Sequence, residues 1–138
     1  MKIHLIREDQ EGIENFQHVK VSPNSVDLSS VSDNECEVIL ATDVLDSFTS
    51  NSLGQLVGAL LKKLRMGGEL SIGGTDARLL SKHILNGLME PAAVSSLVGD
   101  LQSITFMPDI QNVLEKSGLR IISTHINGVH YEIKAIRG

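Results

Sequence analysis

Aromatic side chains are scarce in this sequence. They make up 3% of its 138 residues, with no tryptophan and a single tyrosine. Because proteins commonly bind bases and sugars by stacking them on aromatic rings, the composition argues against a stacking platform. The net charge is −5, and no run of lysine or arginine occurs. Together these features argue against nucleic acid or an anionic membrane as the main partner.

Cysteine and clustered metal ligands are also scarce. Cys36 is the only cysteine, so neither an intramolecular disulfide nor a cysteine-rich zinc site can form. The five histidines lack the H-x₃-H and H-E-x-x-H spacings of metal sites. His125 and His130 flank the last predicted hairpin and could face each other across it, but a metal site needs a third ligand nearby. The sequence therefore predicts no metal site.

No apolar run approaches the length needed to span a membrane. Met1 leads directly into a strand-like segment, without the basic and apolar regions of a signal peptide. A cytoplasmic protein is therefore expected. Hydrophobic residues make up 41% of the chain and charged residues 21%, as in ordinary globular proteins. The length predicts one domain over residues 1–138 with a substantial core.

Hydrophobic periodicity predicts alternating strands and helices. Predicted strands cover residues 2–6, 18–21, 37–42, 69–73, 119–125 and 129–136, and predicted helices cover 52–65, 76–88, 91–101 and 109–116. The clearest helix, 52–65, carries leucines and a valine at i, i+3, i+4 and i+7 spacing. Asn127-Gly128 is a type I′ hairpin signal between the last two strands.

This order predicts an α/β fold, with a mostly parallel sheet that ends in a C-terminal antiparallel hairpin. The strand at 37–42 is a nearly continuous apolar run, as expected for a strand buried on both faces. Ligands of such sheets bind outside the carboxyl ends of the parallel strands. Functional residues are therefore expected just after the strands that end near Ile6, Ser22 and Thr42.

Two segments resemble a known family. Val38–Phe48 combines a buried strand with the following Asp43-Val44-Leu45-Asp46, and Leu64–Ile72 contains Arg65-Met66-Gly67-Gly68 before a strand. In this order and spacing the chain resembles the small class I S-adenosylmethionine-dependent methyltransferases of the bacterial and phage type. The resemblance covers most of the chain in register and implies a Rossmann-like methyltransferase fold.

The chain departs from that family at the positions that would hold the cofactor. The family has a glycine-rich turn after the first strand, where this sequence has Ile6, Arg7 and Glu8. The family has an acidic residue at the end of the second strand, where this sequence has Val21 or Ser22, followed by Pro23. The positions that would line the cofactor cleft are Ile6, Arg7, Glu8, Ser22 and Thr42. The loss of both features implies that S-adenosylmethionine is not bound in the usual way.

Asp43 and Asp46 are the candidate catalytic residues, because they follow the strand at 37–42 directly. As a pair they could accept substrate protons or bind a hydroxyl. Alternatively, Asp46 or Ser47 caps a local turn and Asp43 is solvated. Gly73-Gly74-Thr75-Asp76 could form a small anion-binding nest before the next helix. In a second interpretation, the glycines form a turn and Asp76 caps that helix.

Two functions from different classes follow from the resemblance. The first is a degenerate methyltransferase-like protein that needs no cofactor and serves as a binding or scaffold subunit, with a protein partner or a second copy. The second is an active methyltransferase that uses S-adenosylmethionine and modifies a glycan or small molecule, with Asp43 and Asp46 orienting the acceptor. The apolar connection at 87–108 could cover the site, fill an empty pocket or form an oligomer surface.

Overall fold

The computed structural model describes residues 1–7 and 10–138. Within these ranges the chain forms seven strands and four α-helices. The strands are β1 (Lys2–Ile6), β2 (Gln17–Ser22), β3 (Ser25–Val26), β4 (Cys36–Ala41), β5 (Leu64–Thr75), β6 (Leu119–Asn127) and β7 (His130–Arg137). The helices are α1 (Leu53–Lys63), α2 (Ala77–Leu85), α3 (Pro91–Asp100) and α4 (Met107–Lys116). Short 3-10 helices at Val44–Ser47 and Ser50–Ser52 connect β4 to α1.

The described strands form one sheet in the order β3-β2-β1-β4-β5-β7-β6. β2, β1, β4 and β5 are parallel neighbours, whereas β3 pairs antiparallel with β2, and β7 pairs antiparallel with both β5 and β6. The α/β class and the closing antiparallel hairpin are confirmed. The expectation of a mostly parallel sheet is only partly confirmed, because half of the described pairings are antiparallel.

The main core lies on the face of the sheet that α1 and α4 cover. Successive side chains of a strand point to opposite faces, so alternate residues of each strand reach these helices. From the sheet, the core contains Ile3 and Leu5 of β1 together with Ile39 of β4 and Leu70 of β5. From the helices, it contains apolar side chains of α1 (Leu56, Val57 and Leu60) and of α4 (Ile110 and Leu114). The apolar stripe predicted for residues 52–65 is the part of α1 that packs on the sheet.

The first helix is shorter than predicted, and the next strand is longer. The leucine periodicity continues to Leu64, but Leu64 has an extended conformation and pairs with Cys36 of β4. Leu64 is fully buried, so the sheet rather than the helix takes up its side chain. Gly67 then adopts a positive φ of 78° within β5, where the pairing of β4 and β5 shifts register.

The final hairpin uses a different turn from the predicted one. Asn127 pairs with His130, which leaves Gly128 and Val129 as the two turn residues. Gly128 has a φ of 65°, and Val129 is not among the residues of positive φ. A type I′ turn needs positive φ at both positions, whereas type II′ needs it only at the first. The turn therefore matches type II′, and the pattern Gly128-Val129 rather than Asn127-Gly128 specifies it.

The opposite face of the sheet lacks a helix between β1 and β2 in the part of the chain that is described. Residues 10–16 lie there instead, and a Cβ on Gly12 would fall 1.9 Å from the His18 ring. Val38 and Leu40 of β4 remain half-buried on this face. No helix in residues 1–7 and 10–138 combines the length and the apolar character needed to cross a membrane.

Candidate functional site

A cleft of about 470 Å³ lies at the carboxyl ends of β1 and β2. Arg7 follows β1, Ser22 ends β2, and Ser47 belongs to the 3-10 helix after β4. Asp100 and Gln102, from the end of α3, line the same cleft. Val21 and Pro23 complete the lining. The cleft occupies the place where sheets of this architecture bind their ligands.

The structure separates the residues that sequence analysis assigned to the cleft. Arg7 and Ser22 line it. Ile6 is buried in the protein, at 6% exposure. Thr42 is half-buried, and its carbonyl oxygen lies 2.9 Å from His130 Nε2. Glu8 lies outside the described residues.

Asp43 forms an ion pair with a histidine from the other end of the chain. His130 Nε2 lies 2.9 Å from Asp43 Oδ1 and 2.9 Å from the Thr42 carbonyl oxygen, so one N–H faces two acceptors. Asp43 Oδ2 accepts a hydrogen bond of 2.9 Å from Gln10 Nε2. Gln10 Oε1 in turn accepts from the Arg7 backbone N–H at 2.9 Å. Asp43 is therefore engaged on both oxygens, and this network leads back to the cleft through Arg7.

The contact shifts both ionisation equilibria toward the charged forms. The hydrogen bond with Asp43 raises the pKa of His130 above its ordinary value, although burial acts in the opposite direction. The same hydrogen bond, with the one from Gln10, lowers the pKa of Asp43. The charged pair is thus favoured over a wider pH range than either side chain alone would allow.

A pH-dependent contribution to stability follows from this pair. His130 contributes fully below its unfolded pKa of 6.5, and its contribution is lost as pH rises through the higher folded value. Asp43 contributes above its unfolded value of 3.8, and its contribution is lost as pH falls through the lower folded value. We expect Asp43→Asn to destabilise the protein more near about pH 5.5, where the pair is charged, than near about pH 9. The difference should be on the order of 1 kcal/mol, because about a third of each side chain reaches solvent and screening weakens the pair.

Urea unfolding of the wild type and the variant at both pH values measures this difference. Asp33→Asn is the matched control, because Asp33 forms its ion pair with a lysine, Lys63, instead of a histidine. Its effect is expected to be the same at both. An equal effect of Asp43→Asn at the two pH values would contradict the proposed charge pairing.

Asp46 connects the turn after β4 to the end of β5. Its Oδ1 accepts from the Thr75 backbone N–H at 2.7 Å, and its Oδ2 accepts from the Thr75 hydroxyl at 2.9 Å. Burial raises the pKa of Asp46, and the two hydrogen bonds from Thr75 oppose that shift. The Asp46 backbone oxygen also accepts from Gln102 at 2.8 Å. Asp46 therefore links the turn after β4 to the end of β5 and to Gln102, apart from the Asp43–His130 pair.

Gly73 and Gly74 do not form the anion nest that was one interpretation of the sequence. Both belong to β5 and pair with Glu132 and Tyr131 of β7 in extended conformation. A Cβ on Gly74 would lie 2.9 Å from the Leu45 Cβ. The glycines therefore permit close contact between neighbouring elements. The second interpretation is confirmed for Asp76, which caps α2 by accepting from Arg78 and Leu79.

The connection at 87–108 is attached to the site at its end and exposed along its helix. The Gln102 backbone N–H donates to the Asp46 carbonyl oxygen, and the Ser103 hydroxyl donates to the Leu45 carbonyl oxygen. The Thr105 backbone N–H donates to the Thr75 carbonyl oxygen. In contrast, α3 contains no buried side chain. Several apolar side chains of this region and of α2 are exposed, including Leu85, Leu88, Val98, Ile104 and Phe106.

The sequence did not identify Gln10, Asp100 or Gln102 as site residues, and it suggested His125 rather than Asp43 as the neighbour of His130. His130 lies 88 residues from Thr42, and no local pattern links such distant positions. Asp100 had no signal other than its place at the end of a predicted helix. His125, which could have faced His130, pairs with Glu132 instead. Over the described ranges no cluster of three metal-ligating side chains occurs.

The sequence matches no model of a known protein family and no curated protein. Its structure resembles a SAM-dependent methyltransferase from Archaeoglobus fulgidus, with a TM-score of 0.62 and 13% identity over 88% of this chain and 68% of that one. An O-methyltransferase family protein from Burkholderia thailandensis gives a TM-score of 0.61 and 15% identity over 88% of this chain and 36% of that one. A chain in the complex between the Haloferax volcanii Trm112 methyltransferase activator and the putative methyltransferase gives a TM-score of 0.59 and 5% identity. The match covers 92% of this chain and 63% of that one.

The chain therefore has the fold of the class I S-adenosylmethionine-dependent methyltransferases, as the resemblance predicted. It spans between 36% and 68% of the lengths of these three structures. At these identities the likeness concerns the fold.

Proposed function

We propose that this protein is a degenerate methyltransferase-like protein that does not bind S-adenosylmethionine in the usual way and acts as a binding or scaffold subunit. One observation carries the proposal: Arg7 lines the cleft at the end of β1. In the family that the chain resembles, glycines at this place let the backbone approach the cofactor. An arginine side chain fills that space and adds a positive charge.

Charge and chemistry on both sides of the cleft support this proposal. S-adenosylmethionine carries a sulfonium cation, which the Arg7 guanidinium would repel. At the end of β2, Ser22 and Pro23 line the cleft where the resemblance implies a carboxylate for the cofactor hydroxyls. Asp43, the nearest acid after β4, is already bonded to His130 and Gln10.

Exposed apolar side chains support the scaffold role. Leu85 and Leu88 are 85% and 67% exposed, and Val98 on α3 is 52% exposed. Exposed apolar surface of sufficient extent marks protein-binding sites, and these side chains are candidates to contribute to one. One structure of similar fold comes from a complex with a Trm112 methyltransferase activator. A protein partner for the α2–α3 region is consistent with both observations.

Calorimetric titration with S-adenosylmethionine tests the proposal directly. We expect no binding with a Kd below about 100 μM. S-adenosylhomocysteine, which lacks the sulfonium charge, is the matched ligand that separates charge repulsion from lack of space. The double variant Arg7→Gly/Ser22→Asp is expected to gain affinity for S-adenosylmethionine relative to the wild type. Micromolar binding by the wild type would refute the proposal.

An active methyltransferase is the second candidate, and the Asp43–His130 pair favours it. The pair lies at the carboxyl end of β4, where the Asp43 carboxylate could orient the hydroxyl of an acceptor. This candidate predicts methyl transfer to a glycan or small-molecule acceptor that Asp43→Ala abolishes without unfolding the protein. Transfer of a radiolabelled methyl group across an acceptor panel, with circular dichroism of the variant, measures both outcomes.

A further inference from the structure

We propose that the cleft binds a small hydroxylated anion, with the Arg7 guanidinium holding its anionic group and Asp100 holding its hydroxyls. The inference deepens the proposed function, because it names the ligand class of the same cleft. It begins from the size of the space. A volume of about 470 Å³ is within the range of sites for small molecules, and the position is that of ligand sites in α/β sheets.

Arg7 supplies a fixed positive charge at one wall. Its Nε is shielded from solvent and has no hydrogen-bond partner among the described residues. Its backbone is held by a reciprocal contact, in which the Arg7 N–H donates to Gln10 Oε1 and the Gln10 N–H donates to the Arg7 carbonyl oxygen. Within residues 1–7 and 10–138 its guanidinium forms no salt bridge. A planar guanidinium of this kind suits a carboxylate or a phosphate group, which can accept two parallel N–H donors.

Asp100 restricts the ligand elsewhere in the lining. It lies at the end of α3 and lines the same cleft as Arg7. An exposed carboxylate accepts hydrogen bonds and disfavours a second anionic group nearby. The ligand should therefore carry a single anionic group and, at some distance from it, donors such as hydroxyls.

The remaining lining favours a polar ligand over an adenine-like one. Ser22 and Ser47 contribute hydroxyls, and Gln102 contributes an amide that can both donate and accept. Among residues 1–7 and 10–138 no aromatic side chain lines the cleft, so a planar base would find no ring to stack on there. Hydroxylated carboxylates and monophosphorylated sugars share the required chemistry.

The test uses three polyhydroxylated probes that carry a carboxylate, a phosphate or no charge: gluconate, glucose 6-phosphate and neutral glucose. Each is titrated into ¹⁵N-labelled protein, and the Nε–Hε correlation of Arg7 is followed by NMR. We expect gluconate or glucose 6-phosphate to shift this correlation and glucose to leave it unchanged. The probe that binds identifies carboxylate or phosphate as the preferred anion. If neither anion shifts the correlation, the proposal is wrong.

Three variants assign the contacts. Arg7→Gln is expected to weaken binding of the anion at least about tenfold, as loss of a charge-assisted bidentate contact should. Arg120→Gln removes an exposed arginine on β6 that lies outside the cleft, and it should leave the affinity unchanged. Asp100→Asn removes the charged acceptor for the hydroxyls and should weaken binding of the hydroxylated anion. Equal affinities of the wild type and Arg7→Gln would overturn the assignment.

The outcome is separable from that of the proposed function. If S-adenosylmethionine binds and competes with gluconate, the proposed function fails while the anion site stands. If neither S-adenosylmethionine nor either anion binds, the anion site fails while the absence of usual cofactor binding stands.

Discussion

Gly73→Ala is expected to lower the free energy of unfolding by at least about 3 kcal/mol, or to prevent folding, because it forces a methyl group between three strands. A Cβ at this position would lie 2.2 Å from the Tyr131 carbonyl oxygen and 2.5 Å from the Thr42 carbonyl oxygen. Both atoms belong to the backbone and cannot move aside by changing a side-chain rotamer. Removing these two clashes would require β5 to separate from its neighbours β4 and β7, and these strands lie at the centre of the sheet.

Gly58→Ala is the matched control for that substitution. Gly58 lies in the middle of α1, and apart from the neighbouring backbone of the helix no described atom comes within 4 Å of its ideal Cβ position. Alanine there should stabilise the protein by about 0.5–1 kcal/mol, because glycine is the poorer helix former. Thermal and urea unfolding of both variants measure the contrast. A Gly73→Ala protein as stable as the wild type would show that β5 does not approach its neighbours so closely.

Asp76→Ala is expected to destabilise the protein by about 3 kcal/mol and to lower its Tm by roughly 10 °C. Asp76 is only 4% exposed, and its carboxylate accepts three backbone hydrogen bonds. Oδ1 accepts from Arg78 and Leu79 in the first turn of α2, and Oδ2 accepts from Met107 at the start of α4. Alanine would leave these donors without their partner, and the starts of two helices would lose their common anchor.

Asp27→Ala is the control, because Asp27 accepts one backbone hydrogen bond, from Ser29, at an exposed position. Its loss should leave the stability close to that of the wild type, since water can replace the carboxylate there. The loss of stability in Asp76→Asn should lie between those of the two alanine variants. The asparagine amide keeps one acceptor oxygen but places an NH₂ donor against a backbone donor. Calorimetric melting curves rank the three variants. A Tm of Asp76→Ala close to that of Asp27→Ala would contradict this account.

The order of strands and helices follows from local patterns, so most of the fold could be predicted. The apolar run before Thr42 gave a buried central strand, and the leucine stripe after Ser52 gave the helix that packs on it. Asp76 was identifiable as a possible cap because a short polar side chain precedes a helical pattern. Element ends were less predictable. Leu64 continues the helical period, yet pairing with Cys36 places it in β5.

The contacts of the candidate site could not be predicted in the same way. Asp43 and Asp46 are three residues apart in sequence, but one bonds to His130 of β7 and the other to Thr75 of β5. Asp100 reaches the cleft because the segment after α3 is hydrogen-bonded to the turn that follows β4. Such pairings depend on how the chain returns to the sheet edge, and no spacing rule encodes them.

The sequence by itself determined the α/β class, the resemblance to class I methyltransferases and the replacement of the glycine turn by Ile6-Arg7, because each depends on residues that are neighbours along the chain. Only the tertiary structure decided that Arg7 and Asp100 line the same cleft and that Asp43 pairs with His130. The physical reason is that parallel strands bring their carboxyl ends together at one edge of the sheet. There, side chains from distant parts of the chain come close enough to share charges and hydrogen bonds.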